Sequence, residues 1–174
     1  MATNLEFISR QEITTSVSLL DFDNVFSDKY DVYKITSSNI NTASTSASDN
    51  AIRLLDSTGT VIDQTEYDYA QLILRAETTF GEGKNTNQTS IPNFFALTDQ
   101  KPEGMGTVGY IYNPFDSGSY TFFLHQNSFA VDSVTRGLKG IGVHKSAESC
   151  RGFRAIFEFA VDSGFISVYG LASN

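Results

Sequence analysis

The chain has 174 residues and a formal net charge of −8 at pH 7, which argues against general nucleic-acid binding because an acidic surface repels phosphate backbones. No apolar run approaches the roughly 18 residues that a membrane helix needs. The single cysteine, Cys150, excludes an intrachain disulfide and a cysteine-based metal site, and we interpret it as buried or merely tolerated rather than reactive.

Short runs of alternating or β-branched residues predict strands in the first part of the chain. Residues 13–19 alternate apolar and polar side chains, residues 30–36 are rich in Tyr, Val and Ile, and residues 51–63 suit a hairpin. Between them, residues 37–50 are polar and lack periodicity, which predicts a long exposed loop.

The middle of the chain contains one ambiguous segment and a second polar one. Residues 67–77 fit either a helix or a strand, and we interpret them as a strand with a bend. Residues 78–90 are polar and contain glycine, so they predict another long loop. Three glycines within residues 134–144 predict a bulged or strongly bent strand. Further strands are predicted at residues 91–98, 107–113 and 120–125.

The last two dozen residues carry the clearest periodicity, which predicts a closing β-hairpin. Every second residue between 153 and 159 is apolar, so this side of the strand is expected in the core. These residues are Phe153, Ala155, Phe157 and Phe159. A turn is expected at residues 161–164, where Gly164 adopts a positive φ most easily. Residues 165–169 then form the second strand.

The pattern as a whole predicts an all-β fold of nine or ten short strands. No internal repeat and no linker interrupts the sequence, so residues 1–174 are expected to form one domain. We predict a single-domain antiparallel β-sandwich, with a jelly-roll or related Greek-key topology and long polar loops near residues 37–50 and 78–90.

The sequence lacks the patterns that support catalysis or cofactor binding. His125 and His144 are the only histidines, and we interpret them as ordinary surface or strand-end residues. The aspartates of residues 21–31 lack the glycine turn and bidentate glutamate of an EF-hand, so we interpret them as solvated turn carboxylates. Residues 81–84 lack the spacing of a phosphate-binding loop. We expect no enzyme activity and no cofactor, and we identify no catalytic residue and no metal ligand; whether a metal ion is bound stays open.

The tyrosines raise the question of carbohydrate binding, since sugar sites combine exposed aromatic rings with polar groups. The candidates are Tyr67, Tyr69, Tyr110, Tyr112 and Tyr120. Tyrosine is also a routine strand residue, and for each of these positions we favour a structural role.

Charge is unevenly distributed along the chain. Residues 12–31 contain five acidic residues and one lysine, whereas residues 136–154 contain five basic residues and one glutamate. These side chains either form ordinary solvated faces or bring the two segments together between subunits. The candidate partner contacts are Arg136, Lys139, Lys145, Arg151 and Arg154.

Three segments in a fixed order carry a resemblance to a known family. Residues 16–40 (SVSLLDFDNVFSDKYDVYKITSSNI) contain a strand, a turn with phenylalanine and a Tyr-Asp-x-Tyr strand. Residues 52–70 (IRLLDSTGTVIDQTEYDYA) contain an apolar hairpin and a Tyr-x-Tyr-Ala step. Residues 162–171 (DSGFISVYGL) resemble a Gly-x-x-x-Leu-Tyr-Gly-Leu ending, with Val168 at the first Leu position. In this order they resemble small structural proteins of tailed bacteriophages, especially those of marine and cyanobacterial hosts.

The resemblance implies a jelly-roll-like virion protein without catalytic residues. Such proteins serve as capsid decoration or cement proteins or as tail appendages, bind other virion proteins and form homo-oligomers, with a trimer as the expected state. The alternative is a tail-fibre or adhesin module that recognises a host surface glycan. The N-terminus lacks a basic region followed by an apolar one, so no signal peptide is predicted, which agrees with assembly in the host cytoplasm and localisation in the virion.

Overall fold

The structure, a computed structural model, describes residues 4–42, 50–97, 105–131 and 134–172, and these form eleven β-strands. The strands are β1 (Leu5–Ile13), β2 (Val17–Phe22), β3 (Val32–Thr42), β4 (Asn50–Asp56), β5 (Tyr67–Arg75), β6 (Gly81–Gln88), β7 (Ile91–Pro92), β8 (Gly106–Tyr112), β9 (Thr121–Val131), β10 (Val134–His144) and β11 (Cys150–Leu171). Within the described residues, no helix has the length and apolar character needed to cross a membrane. The predicted all-β fold class is confirmed.

The strands pair antiparallel in the order β6-β5-β10-β9-β8-β3-β11-β4-β7, and β1 and β2 also pair with β11. β8, β9 and β10 follow one another in the chain and form a meander. By contrast, β5 pairs with β10 and β3 with β8, so distant parts of the sequence become neighbours in the sheet. Such long connections are typical of sandwiches related to the Greek key.

β11 organises the fold, and it is one continuous strand of 22 residues rather than the predicted hairpin. Its first half, from Cys150 to Phe157, pairs with β2 and β4. Its second half, up to Leu171, pairs with β1 and β3. The hairpin prediction is wrong because each half of β11 finds its hydrogen-bond partners on other strands.

A bend occupies the place of the predicted turn. The pairing of β11 with β3 shifts register between Val161 and Ser163 and again before Phe165, and such irregularities bend a strand. Gly164 has a φ of 115°, and a Cβ there would lie 2.6 Å from the backbone oxygen of Asn39. Gly164 therefore has the positive φ expected from the sequence. It lies in a bent strand that closely approaches β3, and not in the turn of a hairpin.

The predicted core side of β11 is buried over most of its length. Phe153, Ala155 and Phe157 are at most 2% exposed, and Phe153 stacks on Phe22 of β2 at a centroid distance of 4.7 Å. Phe159, closest to the bend, is 37% exposed and lies outside the core. The alternating pattern thus identifies the buried side correctly as far as the bend.

The long sheet folds over itself, so that the core lies between two layers. Phe94, which follows β7, stacks on His125 of β9 with a centroid distance of 5.0 Å. Phe95 packs against Phe157 of β11 with a centroid distance of 6.1 Å. These contacts join the β4–β7–β11 region to the meander, as expected for two packed layers of a β-sandwich.

The two segments predicted as polar loops contain strands. Residues 37–42 continue β3, where Ile40 is fully buried, and residues 43–49 lie outside the described residues. Residues 81–88 form β6, whose polar side chains are mostly exposed because the strand lies at the end of the sheet. The strand interpretation of residues 67–77 is confirmed by β5.

Candidate functional site

Four neighbouring strands, β5, β10, β9 and β8, present an apolar outer surface that no other element covers among the described residues. Successive side chains of a strand point to opposite sides of a sheet, and residues directly opposite each other on paired strands share a side. We call this surface the apolar face. Its main residues are Leu72, Tyr110, Tyr112, Phe122, Leu124 and Ile141.

The register of the strands brings these side chains together. Tyr112 lies directly opposite Phe122, and Leu124 lies opposite both Tyr110 and Ile141. Phe122 is 47% exposed and Ile141 58% exposed, which is high for large apolar side chains. The same strands bury their alternate residues in the core, so both sides of this part of the sheet are apolar.

The apolar face contains two adjoining depressions. One has a volume of about 740 Å³ and extends from Tyr112 to Ile141, with Lys84 of β6 on its polar wall. The other has a volume of about 640 Å³ and is lined in part by Val108 and Lys139. Both include Leu124, so they form one continuous surface of a size and character that suits binding rather than solvent exposure.

The tyrosines proposed for carbohydrate binding are divided between the core and the surface. Tyr67 is fully buried, and Tyr69 is packed against the core. Tyr110 and Tyr112 lie on the apolar face with ring centroids 6.3 Å apart and an interplanar angle of 26°, and Tyr120, just before β9, is 47% exposed. The structure therefore brings together two of the five candidates as a pair of nearly parallel rings.

Two of the basic candidate residues bind acidic residues of the same chain. Arg154 donates hydrogen bonds of 2.6 Å to both carboxylate oxygens of Asp21, and Arg151 makes the same two-point contact with Asp23. Arg151 lowers the pKa of the Asp23 carboxyl below its usual value, chiefly through this hydrogen bonding. The acidic and basic segments therefore meet within one chain, where β2 pairs with β11.

The other three basic candidates lie on or near β10. Arg136 pairs with Glu77 at 2.8 Å, and Lys145 pairs with Asp68 at 2.8 Å. Lys139 is exposed at the border of the apolar face, opposite Leu72 in the register. Of the five candidates, Lys139 is thus the one placed beside the surface that we consider the best candidate for binding.

Both histidines are buried, so neither is a surface residue, whereas the strand-end alternative holds for His144, the last residue of β10. His125 is 1% exposed against Phe94, and burial lowers its pKa to about 4. His144, at the end of β10, has no exposed area. Cys150 is buried as predicted, and burial raises the pKa of its thiol to about 12. The raised pKa disfavours the Cys150 thiolate, which is the form of cysteine that acts as a nucleophile.

One group of side chains in the described residues has the spacing of metal ligands. The Nε2 atom of His144 lies 3.2 Å from Oε2 of Glu66 and 3.7 Å from Oε1 of Glu148. One candidate ligand atom from each residue lies within 4.8 Å of the others. The sequence does not indicate this group, because Glu66 is 78 positions from His144 and becomes its neighbour only through the pairing of β5 with β10.

The apolar face was also missed, although the sequence contains a signal for it. Residues 120–124 read Tyr-Thr-Phe-Phe-Leu, so apolar side chains fall on both sides of the strand predicted there. A continuous apolar run is typical of a strand that is covered on both sides. Phe122 and Leu124 are the residues that this run places outside.

No protein-family model and no curated protein matches the sequence. Among solved structures, the chain is similar to an exo-inulinase from Aspergillus awamori, with 14% identity, a TM-score of 0.47 and coverage of 96% of this chain and 29% of that one. A fructofuranosidase from Schwanniomyces occidentalis gives 7% identity and a TM-score of 0.27, with 98% and 35% coverage. The chain thus spans about a third or less of these two proteins.

A third similar structure is the CBM2 module of the evolved Dit protein of Lactobacillus casei BL23 phage J-1. It gives 10% identity and a TM-score of 0.24, with coverage of 90% of this chain and 70% of that one. Likenesses of this strength do not assign a function.

Proposed function

We propose that this chain is a non-enzymatic structural component of a bacteriophage particle, such as a decoration protein or tail appendage, and that its apolar face is an assembly surface. The observation that supports this proposal is the exposure of Phe122 and Ile141 at the centre of a continuous apolar surface. The three sequence segments that resemble phage structural proteins, in their order, support a location in the virion.

The chemistry of the apolar face favours contact with protein. Full burial of a side chain such as Ile141 contributes roughly 1.5–3 kcal/mol, so removing its exposed half from water contributes on the order of 1 kcal/mol. Several such side chains lie side by side, with Lys84 and Lys139 near the margin. An apolar centre with a charged margin is the usual composition of a protein interface.

The strands with a free edge are less suited to association than the apolar face. β1 and β2, which among the described strands pair only with β11, carry the charged residues Glu6, Arg10, Glu12 and Asp21. β6 carries Glu82 and Lys84, and charges on an edge strand oppose the addition of another strand. β7 is two residues long, which offers few free backbone groups. We therefore place the contact between copies on the apolar face and expect a closed symmetric oligomer, with a trimer as the state that the resemblance suggests.

A second candidate function is recognition of a host glycan. It is favoured by the nearly parallel rings of Tyr110 and Tyr112, because such a pair can receive the apolar side of sugar rings. The aliphatic side chains beside them, Leu124 and Ile141, offer nothing to sugar hydroxyls, so this candidate ranks second. Loss of host-cell or polysaccharide binding in Tyr112→Thr, with an unchanged oligomeric state, would favour the glycan function.

The experiment that tests the leading proposal measures binding to particles that lack this protein. The wild-type protein is expected to restore occupancy, and Ile141→Glu is expected to fail because it places a carboxylate in the apolar contact. Thr135→Glu is the matched control, since Thr135 is an exposed residue of β10 outside the apolar face. Absence of particle binding by the wild-type protein would contradict the proposal.

A further inference from the structure

The cluster of Glu66, His144 and Glu148 is built by two connections that meet at one end of the sheet. His144 is the last residue of β10, Glu148 follows in the connection to β11, and Glu66 immediately precedes β5. The backbone N–H of Lys145 donates to the carbonyl of Glu66 at 2.8 Å, which holds the two connections together. The cluster therefore rests on ordered backbone rather than on mobile loop tips.

The imidazole of His144 is fixed in place. It has no exposed area, and its ring packs against the ring of Tyr67 at a centroid distance of 4.8 Å. Tyr67 is itself held by hydrogen bonds with the N–H of Leu54 and the carbonyl of Ile62. Nε2 of His144 is thus presented between the two carboxylates with little freedom to turn away.

The charges in the cluster are not balanced within the described residues. Glu66 and Glu148 each contact one basic side chain there, His144, and a single Nε2–H group cannot donate fully to both carboxylates. Their side chains are 39% and 34% exposed, so the two carboxylates are partly withdrawn from water and open on one side. A divalent cation between the three ligand atoms would balance this charge.

We propose that Glu66, His144 and Glu148 form a binding site for a first-row divalent metal ion, with Zn²⁺ as the best match. Zinc binds imidazole nitrogen and carboxylate oxygen at about 2.0–2.2 Å, and in a tetrahedral site such ligands lie about 3.4 Å from one another. The distances of 3.2 and 3.7 Å between Nε2 and the two carboxylates bracket this value. The partly exposed side of the cluster leaves the fourth position to water.

The arrangement also sets the expected strength of binding. Metal-binding histidines usually donate their other ring N–H to an acceptor, and losing such a partner weakens binding by about 10–100-fold. Nδ1 of His144 is buried and has no hydrogen-bond partner among the described residues. We therefore expect the affinity for Zn²⁺ to be micromolar rather than nanomolar. The bound ion would hold the β10–β11 connection to the residue that precedes β5.

The test is a titration of the purified metal-free protein with Zn²⁺, followed by calorimetry, together with a Co²⁺ titration followed by absorption. One ion per chain is expected, with the intense visible absorption of tetrahedral Co²⁺. Thiolate-to-cobalt charge-transfer absorption is not expected, because Cys150 is not among the ligands. Glu66→Gln and Glu148→Gln are each expected to weaken Zn²⁺ binding at least tenfold, since each removes an anionic ligand with little change in shape.

Glu82→Gln on β6 is the matched control, because it removes an exposed carboxylate far from the cluster in the fold. Thermal unfolding without metal checks that the variants fold, and Zn²⁺ should raise the melting temperature of the wild-type protein and of Glu82→Gln alone. Failure of the wild-type protein to bind one Zn²⁺ per chain overturns the proposal. Binding that persists unchanged in both Glu66→Gln and Glu148→Gln overturns it as well.

Discussion

Asp21 and Arg154 lie directly opposite each other on β2 and β11, and the guanidinium donates two hydrogen bonds of 2.6 Å to the carboxylate. Asp23 and Arg151 repeat the arrangement where β2 ends. The acidic segment near the N-terminus and the basic segment near the C-terminus thus meet because their strands are neighbours. These ion pairs link β2 to β11.

Disrupting this link should have a small, measurable effect on stability. The Asp21 and Arg154 side chains are 42% and 28% exposed, so solvent screens their attraction. We expect Asp21→Asn to lower the free energy of unfolding by about 0.2–1 kcal/mol in urea titrations. In a double-mutant cycle with Arg154→Gln the two losses should not add, and strictly additive losses would show that the pair is not coupled.

The close contact between Gly140 and His125 leads to a second prediction. These residues lie opposite each other on β10 and β9, and a Cβ on Gly140 would overlap the imidazole. Gly140→Ala should therefore destabilise the protein by about 1–3 kcal/mol in chemical denaturation, because His125 is held in place by Phe94.

Gly83 on β6 provides the control for Gly140. Its nearest neighbour to an added Cβ lies at 3.8 Å, so Gly83→Ala should be tolerated without loss of stability. Equal stability of the Gly140 and Gly83 variants would contradict the packing described for the meander.

The burial of His125 predicts a dependence of stability on pH. Its pKa is about 4 in the folded protein, because burial disfavours the charged ring, and about 6.5 in the unfolded chain. Between these values the unfolded chain binds the extra proton, so the free energy of unfolding rises with pH. The free energy of unfolding is therefore highest above pH 6.5 and falls as the pH is lowered, and the loss due to His125 reaches roughly 3 kcal/mol at pH 4.

Denaturation of His125→Leu over the same range of pH measures this contribution. Leucine keeps an apolar contact with Phe94 and does not titrate, so stability should vary less between pH 4 and 6.5 than in the wild-type protein. The lowered carboxyl pKa values of residues such as Asp23 and Asp68 act at lower pH, where their loss also reduces stability. An unchanged slope in His125→Leu would show that His125 titrates normally.

Local patterns predicted the fold class, because alternation and turn residues depend on near neighbours in the sequence. The buried side of β11 up to Phe157 and the positive φ of Gly164 were both predicted. The hairpin was not, because a glycine with positive φ occurs in turns and in bent strands alike. Only the partners of β11, which lie far away in the sequence, distinguish the two.

The apolar face and the cluster at His144 were harder to predict for the same reason. The alternation of residues 13–19 predicts one strand, but these residues span the break between β1 and β2, because the alternation continues across residues that lie outside both strands. The apolar face depends on the placement of β5 beside β10, and the cluster at His144 depends on the same pairing. The apolar run of residues 120–124 indicates that β9 is apolar on both sides, but it does not indicate which distant strands lie beside it.

The central claim, that copies of the chain associate through the apolar face, is tested most directly by sedimentation velocity over a range of protein concentrations. The wild-type protein should sediment as an oligomer, Ile141→Glu should sediment as a folded monomer, and Thr135→Glu should behave like the wild-type protein. A wild-type protein that is monomeric at every concentration, or an Ile141→Glu variant that remains an oligomer, would contradict the claim.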